Sequence, residues 1–562
     1  MRQVLLRFSL LSFLALYLSI TIADAQILVL WESSYSGNET HRQFGASNSL
    51  GDAQTLDFDG DGVPDPWTTV TLNPGPSQRG LNELLSGTTG ELIRHFDSGG
   101  IGPLPTPDLN DDSAPDLWTL WFEDGAARLG LYSGAAVVGG SESGDALLGF
   151  LAPPTSNPGF FGVYKIVGPD ATGDGLADLL VLHSGAVWLY SGGGVASGET
   201  TAVRAFAPPP ADAADGAAFT PERGVQVVLT PDLDGDGRAD VVVADPAFEP
   251  PGFSDVGVVY AFSSATGALL WRARADESDP ETFTDAYGLY GVVAIGGTEG
   301  PGAGDDLDGD GTPDLLVGSR DSDDSAAARG DVGGVYVHSG ASGERLGRLR
   351  FAEPVWSPRF GTNLRAVPDA DGDGIADFAT AIQLNPAPFE LGPWAVAIYS
   401  SVTGEELARV VDPEASSAGI PSGFGQHYLA SPGDLDGDGR PDLFVSAPYA
   451  DVDGRVDAGV VYAFAATPVS SEPSANVEAF RLSASPNPSR GGAWLSFRLP
   501  AAAGVRLTLH DALGREVARV ADGARAAGPH RVALPAGLVP GVYLARLATG
   551  GAVATRTVSV VR

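Results

Sequence analysis

Asp434-Leu435-Asp436-Gly437-Asp438-Gly439-Arg440-Pro441-Asp442 puts a carboxylate at its first, third, fifth and ninth positions and runs directly into the apolar segment Leu443-Phe444-Val445. Oxygens at that spacing, with the backbone carbonyl of the seventh residue, Arg440, can converge on one hard cation. Calcium takes six to eight oxygens at roughly 2.3–2.6 Å, whereas magnesium demands a tighter octahedron and gives up its waters reluctantly, so a carboxylate cage favours calcium. Gly439, the sixth residue, lets the chain turn through positive φ, which a residue with a Cβ resists. A single stretch of this kind reads equally well as an Asp/Gly turn. Its recurrence separates the two readings.

Four further complete copies occur: Asp57/Asp59/Asp61/Asp65, Asp232/Asp234/Asp236/Asp240, Asp306/Asp308/Asp310/Asp314 and Asp369/Asp371/Asp373/Asp377, with Val63, Arg238, Thr312 and Ile375 as the carbonyl donors. Two copies are eroded, Asp108/Asn110/Asp112/Asp116 and Asp170/Thr172/Asp174/Asp178. Asp111 and Ser113 replace both glycines of the first of these, and Thr172 removes a carboxylate from the second. Calcium is therefore expected at five sites, seven at most. Thr68, Val243, Val317, Thr380 and Val445 occupy the twelfth position, where an EF-hand loop requires a closing acid, so these loops are of another kind.

The loops begin at residues 57, 108, 170, 232, 306, 369 and 434, and that period of 51 to 74 residues suits a propeller blade. In the seventh repeat, Phe424-Gly425 leads into a strand ending at Ala430, then the loop, the strand Leu443–Ala447, a polar excursion and the strand Gly459–Phe464. A fourth strand trails other repeats, as at Thr266–Trp271, Ser342–Leu346 and Thr403–Leu407. The seventh lacks one, while Ile27–Trp31 precedes Phe44-Gly45 without a repeat of its own. The N-terminal strand is thus expected to complete the last blade and remove the free sheet edges. The predicted fold is all-β: a seven-bladed β-propeller over residues 26–466, a Ser/Pro tether over 467–478 and a small antiparallel β-sandwich over 479–562.

The chain of 562 residues carries a net charge of −38, which excludes nucleic acid or an anionic membrane as a partner held by simple electrostatics. Residues 477–562 depart from this, with eleven Arg against four acids. With no Cys, disulfides and thiol chemistry are excluded. Gly 75 and Pro 42 beside 43% hydrophobic residues indicate many short strands and turns with ample core. Residues 1–25 read as a secretory signal peptide: Arg2 and Arg7, an apolar run from Phe8 to Ile22, then Ala23-Asp24-Ala25. No later stretch approaches the ~18 apolar residues of a membrane helix.

The repeats resemble the FG-GAP repeats of integrin α-subunits over residues 27 to about 466. Phe44-Gly45, Phe161-Gly162, Phe360-Gly361 and Phe424-Gly425, the Asp-rich loops and Ser446-Ala447-Pro448 carry the resemblance; repeats two, four and five lack the Phe-Gly pair. The last part of the chain resembles the C-terminal sorting domain of bacterial type IX secretion, through Pro486-Asn487-Pro488, Gly514-Arg515-Glu516-Val517, Gly541-Val542-Tyr543 and the terminal strand Thr557–Val561. That resemblance implies the secretion machinery as a partner, export through the outer membrane, removal of the domain, and attachment to or release from the surface.

Catalytic signatures are missing: the chain has no Gly-x-Ser-x-Gly, His-Glu-x-x-His or Gly-x-x-x-x-Gly-Lys, and Lys165 is its only lysine. The seven His are scattered, and His183 and His338 beside Ser-Gly turns suit packing. Trp118, Trp121, Trp188, Trp271, Trp356 and Trp394 suit blade packing, with sugar stacking as the alternative. Arg329-Gly330-Asp331 aligns with the Asp-x-Gly lead-in to a strand in other repeats, a structural role. The expected function is binding or adhesion to a protein or glycan by a secreted or surface-attached propeller, without enzymatic activity. The alternatives are a polysaccharide hydrolase or lyase on the same scaffold and a purely structural surface component.

Overall fold

The computed structural model describes residues 27–33, 56–71, 80–96, 101–123, 126–141, 143–153, 161–162, 164–249, 256–274, 292–294, 305–320, 332–351, 358–384, 392–413, 422–426, 428–451, 459–466, 482–485, 494–499, 503–511, 515–526, 528–535, 538–539, 541–549 and 553–560. The signal peptide, Phe44-Gly45, Arg329-Gly330-Asp331, Trp356, the tether and Pro486-Asn487-Pro488 lie outside them. The chain divides into two compact units, Met1–Val469 and Ser470–Arg562.

Among its described residues the first unit forms seven antiparallel sheets, six of them with neighbouring strands in chain order. The first comprises Trp67–Thr71, Gly80–Leu85 and Leu92–Phe96; the stretch between Phe44-Gly45 and its loop, residues 46–55, lies outside the described residues. The second comprises Ile101–Thr106, Asp116–Glu123, Ala126–Tyr132 and Leu147–Leu151, and the third Lys165–Gly168, Asp178–His183, Ala186–Tyr190 and Arg204–Phe206. Gln226–Thr230, Asp240–Asp245, Val258–Phe262 and Leu269–Arg274 form the fourth, and Val292–Ala294, Leu315–Ser319, Gly334–His338 and Arg345–Leu349 the fifth. The sixth is Thr362–Val367, Asp377–Gln383, Trp394–Tyr399 and Glu406–Val411. Leu429–Gly433, Asp442–Ala447 and Val460–Ala466 make the seventh, and Ile27–Ser33 is its fourth strand, with Ile27 opposite Ala466 and Ser33 opposite Val461. The N-terminal strand thus sits where the unmatched repeat required one.

The second strand of each sheet explains the packing. Every residue of Asp240–Asp245 is buried, so both faces of the strand are covered, which is why its sequence is an unbroken Val run and not an apolar/polar alternation. Alternate residues serve different cores: Val241 and Val243 pack with Leu180 and Leu182 of the third sheet, while Val242 and Ala244 pack with Leu315 and Val317 of the fifth. The first strands of consecutive sheets pack side by side from the first sheet to the seventh.

The Phe-Gly pair has its physical reason here. Phe161, Phe360 and Phe424 are buried, and Gly425, at φ +70°, lies so close to the sixth sheet that a Cβ would stand 2.3 Å from Val396 Cγ2. Trp118, Trp271 and Trp394 are buried, and the Trp271 indole N–H donates to the Gly340 carbonyl at 2.6 Å, tying the fourth sheet to the fifth. Trp121 and Trp188 are half-buried. His183 and His338 are buried too; the His338 Nδ1 lies 2.9 Å from the Gly343 carbonyl, and burial lowers its pKa to about 4.

The second unit has two antiparallel sheets. Leu482–Ser485, Trp494–Leu499 and Gly528–Ala533 form one, and Glu516–Arg525, Ala503–Asp511, Gly541–Thr549 and Val553–Val560 the other. Leu495 and Phe497 of the smaller sheet share one apolar core with Leu507, Leu547 and Val558 of the larger.

A chain starting at residue 34 leaves Val460–Ala466 as an unpaired edge. Its thermal unfolding midpoint is expected to fall by several degrees, with light scattering showing association, relative to a chain starting at residue 26. Equal midpoints would show that the N-terminal strand does not close the seventh sheet.

Candidate metal centres

Six of the Asp-rich loops lie between the first and second strands of their repeat and the first precedes Trp67–Thr71, and the same hydrogen bonds shape them throughout. In the seventh, Asp434 accepts the N–H of Gly437 at 2.6 Å and of Gly439 at 2.7 Å through separate oxygens. Asp438 accepts the N–H of Arg440 at 2.9 Å. Equivalent pairs of bonds reach Asp57, Asp232, Asp306 and Asp369. The Gly439 N–H above all, then that of Gly437, holds the Asp434 carboxyl below its ordinary range despite partial desolvation, and Gly311 does the same for Asp306.

The ninth residue behaves differently. Asp65, Asp116, Asp178, Asp240, Asp314, Asp377 and Asp442 are all fully buried. One oxygen accepts the N–H of the second loop residue, as Asp240 does from Leu233 at 2.9 Å, and the other accepts an N–H from the turn between the third and fourth strands, here Ser264 at 3.0 Å. Gly87, Gly134, Gly192, Gly340 and Ser401 make the second bond in other repeats. Burial pushes Asp116, Asp178 and Asp240 up to about 7 and Asp65 and Asp377 up to about 6, against the lowering pull of these N–H groups.

Three carboxylates converge in each complete loop. Asp232/Asp234/Asp240, Asp306/Asp308/Asp314, Asp369/Asp371/Asp377 and Asp434/Asp436/Asp442 bring ligand oxygens within 4.8 Å of one another, as do Asp57/Asp59/Asp61 in the first. Oxygens on opposite sides of a calcium ion stand roughly 4.6–5.2 Å apart, so each trio fits that ion. The sequence pattern had all four acids converging. In four loops the fifth-position residue, Asp236, Asp310, Asp373 or Asp438, stands outside the trio, with one oxygen accepting the N–H of Arg238, Thr312, Ile375 or Arg440. In the first loop it is Asp65 that stands outside, held by Phe58 and Gly87, while Asp61 also accepts the Val63 N–H at 2.8 Å.

The eroded loops keep the shape and lose the acids. Asp111 and Ser113 take the left-handed conformation, φ 68° and 69°, that glycines supply elsewhere, and their N–H groups still reach Asp108. Asn110 accepts the Asp112 N–H at 3.0 Å. Asp112 accepts the Ala114 N–H at 3.0 Å through one oxygen and the Ser133 hydroxyl at 2.8 Å through the other. In the second eroded loop Asp170 accepts the N–H of Gly173 at 2.5 Å and of Gly175 at 2.7 Å, and Thr172 donates its hydroxyl to Asp178 at 3.3 Å. Asp174, expected as the fifth-position ligand, instead accepts the Leu176 N–H at 2.9 Å through one oxygen and the Ser191 hydroxyl at 2.6 Å through the other. Neither loop brings three acids together among the described residues. Asp108, Asp112 and Asp116 do not gather into a trio, nor do Asp170, Asp174 and Asp178, so the acid trios number five among the described residues. Every trio in the complete loops includes the third-position acid, and Asn110 and Thr172 remove that carboxylate.

Adjacent loops also touch: the Ala239 N–H donates to the Asp170 carbonyl at 2.8 Å, and the Ala376 N–H to an oxygen of Asp305 at 2.5 Å.

Sequence reasoning missed the turn that receives the ninth carboxylate. Its signal is a Ser-Gly or Ser-Ser pair after the third strand, at Ser86-Gly87, Ser133-Gly134, Ser191-Gly192, Ser263-Ser264, Ser339-Gly340 and Ser400-Ser401. Gly134 shows why glycine recurs, since a Cβ there would stand 1.7 Å from the Pro115 carbonyl oxygen.

The two roles separate by mutation. Asp240→Asn is expected to destabilise the protein by about 2–4 kcal/mol even in chelator, because buried N–H groups lose their acceptor. Asp234→Asn at the exposed third position should leave chelator-treated stability within about 0.5 kcal/mol and weaken calcium binding only. Chemical denaturation of both variants with and without calcium checks this, and equal losses in chelator would contradict it.

The FG-GAP repeat family matches residues 428–464, and the FG-GAP-like repeat family matches residues 170–243. The chain is 30% identical to integrin alpha-PS2 of Drosophila melanogaster over 161 residues, covering 26% of this chain and 11% of that protein. It is 34% identical to integrin alpha-7 of Homo sapiens over 171 residues, 30% of this chain and 12% of that protein. An exotype rhamnogalacturonan lyase is similar in structure with a TM-score of 0.42 and 12% identity, covering 78% of this chain and 76% of the lyase. Two segments of the chain thus match FG-GAP-type repeats, and the chain is similar to integrin α-subunits over a small share of their length.

Proposed function

We propose that the first unit is a seven-bladed β-propeller that binds calcium and acts as a binding or adhesion module toward a protein or glycan. The observation that carries this reading is the set of five acid trios, each within 4.8 Å and each in a complete loop of a chain similar to integrin α-subunits. The seven sheets correspond to the blades. The trio residues would hold the ion in each complete loop. Bound calcium supplies charge neutralisation: it cancels the mutual repulsion of carboxylates gathered at one point. What this chain's own atoms do is hold the carboxylates in place, through the N–H groups at the fourth and sixth loop positions and the buried anchor at the ninth.

Binding is favoured over catalysis because the repeats occupy the first unit and their most numerous carboxylates serve the loops. We further propose that the second unit is a type IX sorting domain and that residues 1–25 direct export, which places the mature protein outside the cell, released or surface-attached. No helix among the described residues is long and apolar enough to cross a membrane.

Thermal unfolding of the mature chain in calcium and in chelator tests the structural part: the midpoint is expected to fall in chelator, and an unchanged midpoint would overturn it. Arrays of glycans and extracellular proteins probed in both conditions test the rest. A saturable ligand retained only with calcium supports the binding reading, while cleavage of a polysaccharide or the lack of any ligand overturns it.

A further inference from the structure

Lys165, the chain's one lysine, occupies a position that neighbouring repeats give to apolar residues. Five residues before the first loop acid stand Lys165, Val227, Leu364 and Leu429, and all four are buried, Lys165 at 2% exposure. The lysine opens the first strand of the third sheet, opposite Val181. Its amine faces the second sheet at Gly102, where a Cβ would stand 3.2 Å from Nζ. Leu104, Leu120, Phe161 and Val181 form the apolar core between these two sheets.

Among the described residues, the strands packed against Lys165 set no opposite charge beside it. Strand Ile101–Thr106 of the second sheet and strand Gln226–Thr230 of the fourth contain no ionisable side chain. Strand Asp178–His183 contains two. Asp178 lies at the loop end, its oxygens taken by Ala171, Thr172 and Gly192, and His183 sets its ring edge-on to Phe161 with Nε2 2.8 Å from the Ser184 hydroxyl. Among the described residues Lys165 Nζ makes no hydrogen bond or ion pair.

We propose that Lys165 makes the packing of the second sheet against the third respond to protonation: the neutral amine fits the apolar joint, and the ammonium loosens it. Burial without a partner pushes the amine down to about 7, from roughly 10.4 in an unfolded chain. Above about pH 10.4 the group is neutral in both states and carries no ionisation cost, only that of burying an amine without a partner. As pH falls from there towards 7 only the unfolded chain takes up the proton, so stability declines, and below 7 the loss is complete and constant.

The test compares the full mature chain with Lys165→Met, both saturated with calcium. Near pH 6 the variant should unfold several degrees higher, and the gap should narrow as the pH is raised through about 10.5. Backbone hydrogen exchange at one acidic pH should be faster in the wild type than in the variant at Ile101–Thr106 and Lys165–Gly168, and equal at Trp394–Tyr399. A gap that does not change with pH, a more stable wild type, or a variant that fails to fold would each overturn the proposal.

Discussion

A buried carboxylate with two backbone partners is the constraint on which each repeat depends. The ninth loop residue stands beneath the loop, with one oxygen on the loop's second N–H and, in six repeats, the other on the turn beyond the third strand. That one side chain fixes the start of the second strand against the end of the third. A buried acid left without those donors would carry a large desolvation cost, so the turn and the loop are specified together. The Ser-Gly pair follows from this, because a close approach of backbone to the Pro115 carbonyl leaves no room for a Cβ at Gly134.

The same loop divides its acids between two tasks. Its first residue is exposed or half-buried and available to a cation, and at Asp306 and Asp434 N–H groups hold it in the low range; its ninth is buried, and at Asp240 burial pushes it up. In the eroded loops the first task has weakened while the second persists: Asp116 and Asp178 remain fully buried and fully bonded although Asn110 and Thr172 have replaced acids. Loop shape therefore survives the loss of a complete donor set, and Asp111 and Ser113 tolerate a left-handed backbone to preserve it. Contacts such as Ala239 to Asp170 carry the order of one loop to the next, so an eroded loop still belongs to the series.

Much of this was legible in the residues. The loop period located the repeats, and the unmatched strand Ile27–Trp31 located its partner, since a missing fourth strand and a spare first one leave a single solution. The acid spacing indicated which carboxylates gather. Position within the cage was not legible, because Asp236 and Asp240 differ only in what lies across the sheet from them, and that depends on a turn more than twenty residues away. Asp174 makes the same point in an eroded loop, since its Ser191 partner belongs to the turn after the third strand and no spacing within the loop announces it. Lys165 was visible as a lone lysine, yet its meaning depends on burial against Gly102, which no local pattern states.

Five converging acid trios set the number of calcium ions the chain should retain. Native mass spectrometry of the mature protein after exchange into calcium-containing volatile buffer counts them without any knowledge of the ligand. The predicted count is five, one for each trio of converging acids. A chain that retains none would show that these loops are Asp-rich turns held by hydrogen bonds alone, and would contradict the account.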